Sequence, residues 1–74
     1  MTQQEPAART RIRLNGEPYE TTAGTLSELL VEAGFGGTKV ATALNGAFVP
    51  EGARPRHRIA PGDQVEIVSP RQGG

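Results

Sequence analysis

The dipeptide Asn-Gly occurs twice, at Asn15-Gly16 and at Asn45-Gly46, each time between short alternating apolar runs. A two-residue hairpin loop needs φ > 0 at its central positions, which glycine adopts freely and asparagine tolerates. Two such pairs therefore commit a 74-residue chain to two β-hairpins before any other signal is weighed. In the first, Ile12 and Leu14 alternate with Arg11 and Arg13, and a second run continues through Tyr19, which predicts a hairpin with one wet face. In the second, Val40, Thr42 and Leu44 point one way and Ala41 and Ala43 the other. The turn then leads into Phe48-Val49, and Pro50 stops pairing or marks a sheet edge.

Between the hairpins lies "TLSELLVEAG", where Thr25 followed by Glu28 is a capping-box pattern and Gly34 is placed to end a helix in the left-handed region. Leu26, Leu29, Leu30 and Ala33 fall on one stripe at helical spacing, so a short amphipathic helix should lie on the sheet. "GFGGTK" reads as a helix-to-strand loop, and "EGARPRHRIA", with three arginines and no clean period, as a solvated loop with at most a short strand or 3-10 turn. Pro61-Gly62 suits a type II turn, and "QVEIVS" follows as a last strand with Val65 and Ile67 inward, ended by Pro70. Residues 1–8 are polar, Ala-rich and aperiodic, and are expected to form a disordered leader. The expected organisation is thus that leader, a domain over residues 9–69, and a flexible tail over 70–74. The order of elements predicts an α+β fold: a β-grasp, or ubiquitin-like, roll with a mixed four- to five-stranded sheet and one main helix packed on one face. Its first and last strands should be central and parallel.

Composition narrows the chemistry. At this length about 60 % of the extended chain's surface is hidden on folding, so the core is small and a cleft walled by two lobes has no room to form. With no cysteine, thiolate metal sites and side-chain persulfides or thioesters are excluded, and a cytoplasmic setting fits best. Eight basic and eight acidic residues balance to zero, which argues against nucleic acid or an anionic membrane as partner. The longest purely apolar run, Leu29-Leu30-Val31, is far short of a membrane span. The single His57 has no nucleophile or positioned acid near it in sequence and is read as a solvent-exposed residue without a role. Arg9, Arg11 and Arg13 read as the wet face of a strand, and Arg54, Arg56 and Arg58 as a solvated loop. No catalytic residue, no metal site and no bound cofactor is expected.

What remains is the ending "SPRQGG". A chain without catalytic side chains can still enter chemistry as a group carrier if its C-terminal carboxylate is the reactive atom. Two glycines make the backbone thin enough to lie against another protein's catalytic groups, and from Pro70 to Gly74 an extended chain reaches roughly 17 Å. Chance, or a cloning scar, also produces a Gly-Gly end, so the tail alone does not decide. A partner surface is expected beside it. If Val65 and Ile67 face the core, Val68 faces out, and if Val49 faces in, Phe48 faces out, giving with Ala41 and Ala43 an apolar patch on the sheet face away from the helix. The alternative is that Phe48 folds over the sheet edge into the core.

From about Ile12 to Gly74 the chain resembles the small sulfur-carrier proteins of thiamine biosynthesis, the ThiS group of the ubiquitin-like MoaD/ThiS superfamily. The resemblance rests on "LNGEP", "TLSELL", "VATALNGAFVP" and "PGDQVEIVSPRQGG", in that order, together with the terminal Gly-Gly. It implies a protein that is not an enzyme. An E1-like adenylating enzyme of the ThiF/MoeB type uses ATP to adenylate the terminal glycine, Gly74 here, and a sulfur donor system then leaves a C-terminal thiocarboxylate, a 1-thioglycine. A ThiG-type thiazole synthase takes that sulfur, and Gly73, Gln72 and Arg71 become the tail residues that partners recognise. The leader before Arg9 and the arginine-rich stretch at 54–58 depart from the pattern. Alternatives stay open: the small subunit of molybdopterin synthase shares the chemistry but has a hydrophobic approach to Gly-Gly. Relatives deliver sulfur to transfer RNA, cysteine synthesis or other products. A ubiquitin-like modifier or plain interaction module could use the same body.

Overall fold

The computed structural model describes residues 9–69; the expected leader (1–8) and tail (70–74) lie outside the described residues. The chain runs β1 (Thr10–Leu14), β2 (Glu17–Thr21), α1 (Leu26–Glu32), β3 (Ala41–Leu44), β4 (Ala47–Val49), a 3-10 turn (Glu51–Arg56) and β5 (Gln64–Val68). The five strands form one sheet in the order β2-β1-β5-β3-β4, with β1 and β5 parallel and the other neighbours antiparallel. The last strand is central because each hairpin buries only one edge of itself. β5 supplies the missing partner to both, pairing Leu14 with Val65 on one side and Thr42 with Ile67 on the other.

Both hairpin turns use the backbone that the sequence requires. Asn15 and Asn45 sit at φ 51° and 52°, and Gly16 and Gly46 at 84° and 85°. Their side chains do more than tolerate the turn. Asn15 Oδ1 accepts from the backbone N–H of Ile67 (2.8 Å), and Asn45 Oδ1 accepts from that of Gln64 (2.9 Å). Each donor lies one step past the point where β1 or β3 has turned away, so a side-chain amide stands in for the absent strand and satisfies a backbone group in the central strand.

The helix is bounded as its sequence demands. Thr25 Oγ1 accepts from Glu28 N–H (3.2 Å) at the N-cap, while Glu28 Oε1 reaches past the cap to the N–H of Gly24 (2.8 Å). At the other end Gly34 takes φ 93°, Phe35 N–H donates to Leu30 O (2.7 Å) and Gly34 N–H to Val31 O (3.1 Å). This 6→1 and 5→2 pair is the Schellman motif, which satisfies helix carbonyls that would otherwise lack partners. Leu26, Leu29 and Leu30 pack against Ile12, Val49, Val65 and Ile67 in a core whose members are at most 5 % exposed. Burying each such aliphatic side chain stabilises the fold by about 1.5–3 kcal/mol. Ala33, placed on the same stripe by the sequence, is the half-buried C-cap.

Two expectations need correction. His57 is half-buried, not solvent-exposed, and its Nδ1–H donates to the carbonyl of Ala53 (3.0 Å). The arginine-rich stretch is not uniformly solvated: Arg56 and Arg58 are exposed, but Arg54 turns into the body. Both corrections share one cause. The 3-10 turn rotates successive side chains by a third of a turn, so position 54 faces β3 while 56 faces water.

Candidate functional site

The strand alternation places α1 on one face of the sheet and leaves the other open. On the open face Ala43 lies opposite Phe48 on β4 and opposite Glu66 on β5, and Ala41 lies opposite Val68. Three large apolar side chains are exposed among the described residues, and two of them, Phe48 at 69 % and Val68 at 59 %, belong to this cluster. The sequence-predicted residues Phe48, Val68, Ala41 and Ala43 are thus brought together as one patch, and Phe48 is not part of the core. Small alanines between a phenylalanine and a valine leave a shallow apolar surface on which a partner's side chains can rest.

Val68 is also the last residue of β5. The patch therefore borders the point where the chain continues toward Arg71, Gln72, Gly73 and Gly74, which lie outside the described residues.

Around the patch the open face is polar: Glu66 borders it on β5, and β1–β2 carries arginines and Glu20. Arg11 Nη2 donates to Glu20 Oε2 across the first hairpin (3.0 Å), Arg9 approaches the same carboxylate at 3.7 Å, and Arg13 Nη1 donates to Gly16 O (2.9 Å). These exposed pairs are the wet face read from the sequence, and each is worth at most about 1 kcal/mol. On the helix side Glu32 accepts from Tyr19 Oη–H (2.9 Å), Thr21 Oγ1–H (2.8 Å) and Thr22 N–H (3.3 Å). Partial desolvation pushes its carboxyl up. The hydrogen bonds from Thr21, Tyr19 and the backbone of Thr22 and Ala23 outweigh that and hold it below the ordinary carboxylate value. Desolvation and the facing Glu32 carboxylate raise the Tyr19 phenol.

Among the described residues no group of three or more His, Cys, Asp or Glu could hold a metal ion. No helix there is long and apolar enough to cross a membrane. Sequence reasoning missed the structural roles of the Asn15 and Asn45 side chains and of Arg54. The Asn-Gly pairs signalled turns, but only the tertiary contact with β5 shows that the amides complete a ladder.

A five-stranded mixed sheet crossed by one helix, with an open apolar patch at the end of its central strand, defines a ubiquitin-like β-grasp protein. Residues 12–74 match the model of the ThiS family, and the chain belongs to that family. The crystal structure of a thiamine biosynthesis protein (ThiS) from Geobacter metallireducens shares the fold with a TM-score of 0.74 and 26 % identity, over 88 % of this chain and 100 % of that one. A thiazole synthase from Magnetococcus marinus is 42 % identical over 65 residues, 86 % of this chain. That match takes up 20 % of the synthase, so the chain spans about a fifth of the length of this relative.

Proposed function

We propose that the protein is a sulfur carrier whose Gly74 carboxylate is charged as a thiocarboxylate and discharged to a thiazole synthase in thiamine biosynthesis. The observation that carries this reading is the family match, which runs through Gly74, on a body whose exposed apolar patch borders the end of β5. Similarity to part of a thiazole synthase supports that enzyme class as the acceptor, since a carrier-like segment and a synthase then occur in one chain.

In the proposed cycle an E1-like adenylating enzyme joins the Gly74 carboxylate oxygen to the α-phosphorus of ATP and releases pyrophosphate. Sulfide sulfur then attacks the acyl carbon, AMP leaves, and a thiocarboxylate remains. The synthase's substrate takes the sulfur as the acyl C–S bond breaks, an oxygen from that substrate or from water bonds to the acyl carbon in its place, and the chain returns as a carboxylate to be recharged. This chain contributes docking and presentation: Phe48, Val68, Ala41 and Ala43 seat the body, while the tail residues Arg71, Gln72 and Gly73 enter the partner. The polar approach Arg71-Gln72 to Gly-Gly favours this reading over a molybdopterin synthase small subunit, whose approach is hydrophobic.

Intact-mass measurement after incubation with ATP, sulfide and an adenylating enzyme of this type tests the reading. The expected product gains the oxygen-to-sulfur mass difference, and deleting Gly74 abolishes that gain because misplacement by about 1 Å already costs on the order of a hundredfold in rate. A chain lacking Gly74 that still gains sulfur at the normal rate would sink the proposal. Adducts on lysines of other proteins would instead identify a modifier.

A further inference from the structure

Arg54 stands apart from the other arginines of its stretch. Its Nε–H donates to Thr42 Oγ1 (3.0 Å) and its Nη2–H to the carbonyl of Val40 (2.7 Å). Thr42 is 2 % exposed, and its hydroxyl proton goes to Val49 O (2.7 Å), so the oxygen that Arg54 meets is already oriented. Among the described residues Arg54 makes no ion pair. A half-buried guanidinium is here spent on neutral acceptors alone.

The reason lies in the sheet. Antiparallel strands alternate the direction of their backbone groups. Asn45 donates its N–H to Gln64 O, so Asn45, Ala43 and Ala41 face β5, whereas Leu44, Thr42 and Val40 face β4. β4 ends at Val49, opposite Thr42, and the chain leaves the sheet at Pro50. The Val40 carbonyl consequently points to where a strand has departed, and Arg54 fills that place. Ala41, the next residue, carries the last rung of the β3–β5 ladder, opposite Val68. The guanidinium thus holds the end of β3 against which the central strand finishes, beside the start of the tail.

We propose that Arg54 is a positioning residue for the C-terminal tail, acting through the Ala41–Val68 rung; the proposal rests on the carrier reading above. If that rung opens, Ala43–Glu66 becomes the last hydrogen-bonded one, and the sequence distance from the last residue so bonded to Gly74 grows from six residues to eight. Ala41 and Val68 also leave the patch at the same moment. Docking and tail delivery weaken together through a residue that is not itself part of the patch.

The test compares the full chain with Arg54→Met, Arg54→Lys and the exposed control Arg56→Met in two measurements. Amide hydrogen exchange by NMR should show Val68 exchanging about tenfold faster or more in Arg54→Met, as expected for losing hydrogen bonds from a charged donor, with Val65 unchanged. Arg54→Lys should lie between, because an ammonium cannot serve both acceptors with fork geometry. In ATP-dependent sulfur loading, Arg54→Met should raise KM for the chain by about the same factor with kcat little changed, while Arg56→Met matches wild type in both measurements. Unchanged exchange at Val68 overturns the proposal, as does faster exchange with unaltered loading. An equal rise at Val65 and Val68 shows a general packing role and overturns it too. A wild-type chain that takes up no sulfur defeats the carrier reading and the tail role with it, leaving the local exchange effect as a structural finding.

Discussion

The two hairpins are the same device used in opposite ways. Each closes on Asn-Gly with nearly identical dihedrals, each lends an asparagine amide to β5, and each shows one face to α1 and one to solvent. On the solvent side β1–β2 carries Arg11 paired with Glu20 and Arg13 bonded to the carbonyl of Gly16, whereas β3–β4 carries Ala41, Ala43 and Phe48. Water solvates the first surface well; the second gains by being covered. The backbone sets where a surface lies, and the outward residues of the alternation decide whether it is a binding face.

The largest effect should come from making the second hairpin resemble the first. Phe48→Asp is expected to weaken binding to the adenylating enzyme or the synthase by about a hundredfold or more, the scale of an aromatic anchor. Its circular dichroism should stay at wild type, since Phe48 is 69 % exposed. Retained binding breaks the contrast between the hairpins; loss of fold shows that Phe48 supports the sheet.

A smaller difference should appear between the turns themselves. Among the described residues Asn15 uses only its oxygen, but Asn45 also donates Nδ2–H to Asp63 Oδ1 (3.0 Å). Asn45→Asp therefore loses a donor and sets two carboxylates together, and should cost about 1–2 kcal/mol in urea unfolding at neutral pH. Asn15→Asp keeps the acceptor and should stay within about 0.5 kcal/mol of wild type. Equal losses would show that the two amides are equivalent after all.

The first hairpin is tied to the helix through Glu32, and this tie should register in pH dependence. A carboxyl held below its ordinary value contributes stability above the unfolded-state value and loses it as pH falls through the folded one. Unfolding free energy should accordingly begin to fall as pH drops toward 4.5, the ordinary glutamate value, and go on falling below it. Glu32→Gln should flatten this part of the profile; an unaltered slope would remove Glu32 as its source. The smallest effect is reserved for Arg11→Ala, whose exposed pair with Glu20 should change the melting free energy by less than about 1 kcal/mol, and less still in high salt.

Much of the fold was legible because its signals are local. Thr25, Glu28 and Gly34 bound the helix, the Asn-Gly pairs mark both hairpins, and strict alternation sorts Val65 and Ile67 from Val68 without knowledge of any neighbour. The patch was legible for the same reason, since a period of two assigns faces once one inward residue is known.

Sequence by itself thus determined the elements, their faces and the resemblance that led to the family. Tertiary structure alone decided which polar side chains are structural. Asn15 meets Ile67 across 52 positions, Arg54 meets Val40 across 14, and Glu32 meets Thr21 across 11. No local period encodes such contacts, because each depends on where another strand ends and which backbone group is left without a partner there. An arginine in a polar stretch reads as solvated until the departure of β4 at Pro50 shows the carbonyl that it must satisfy.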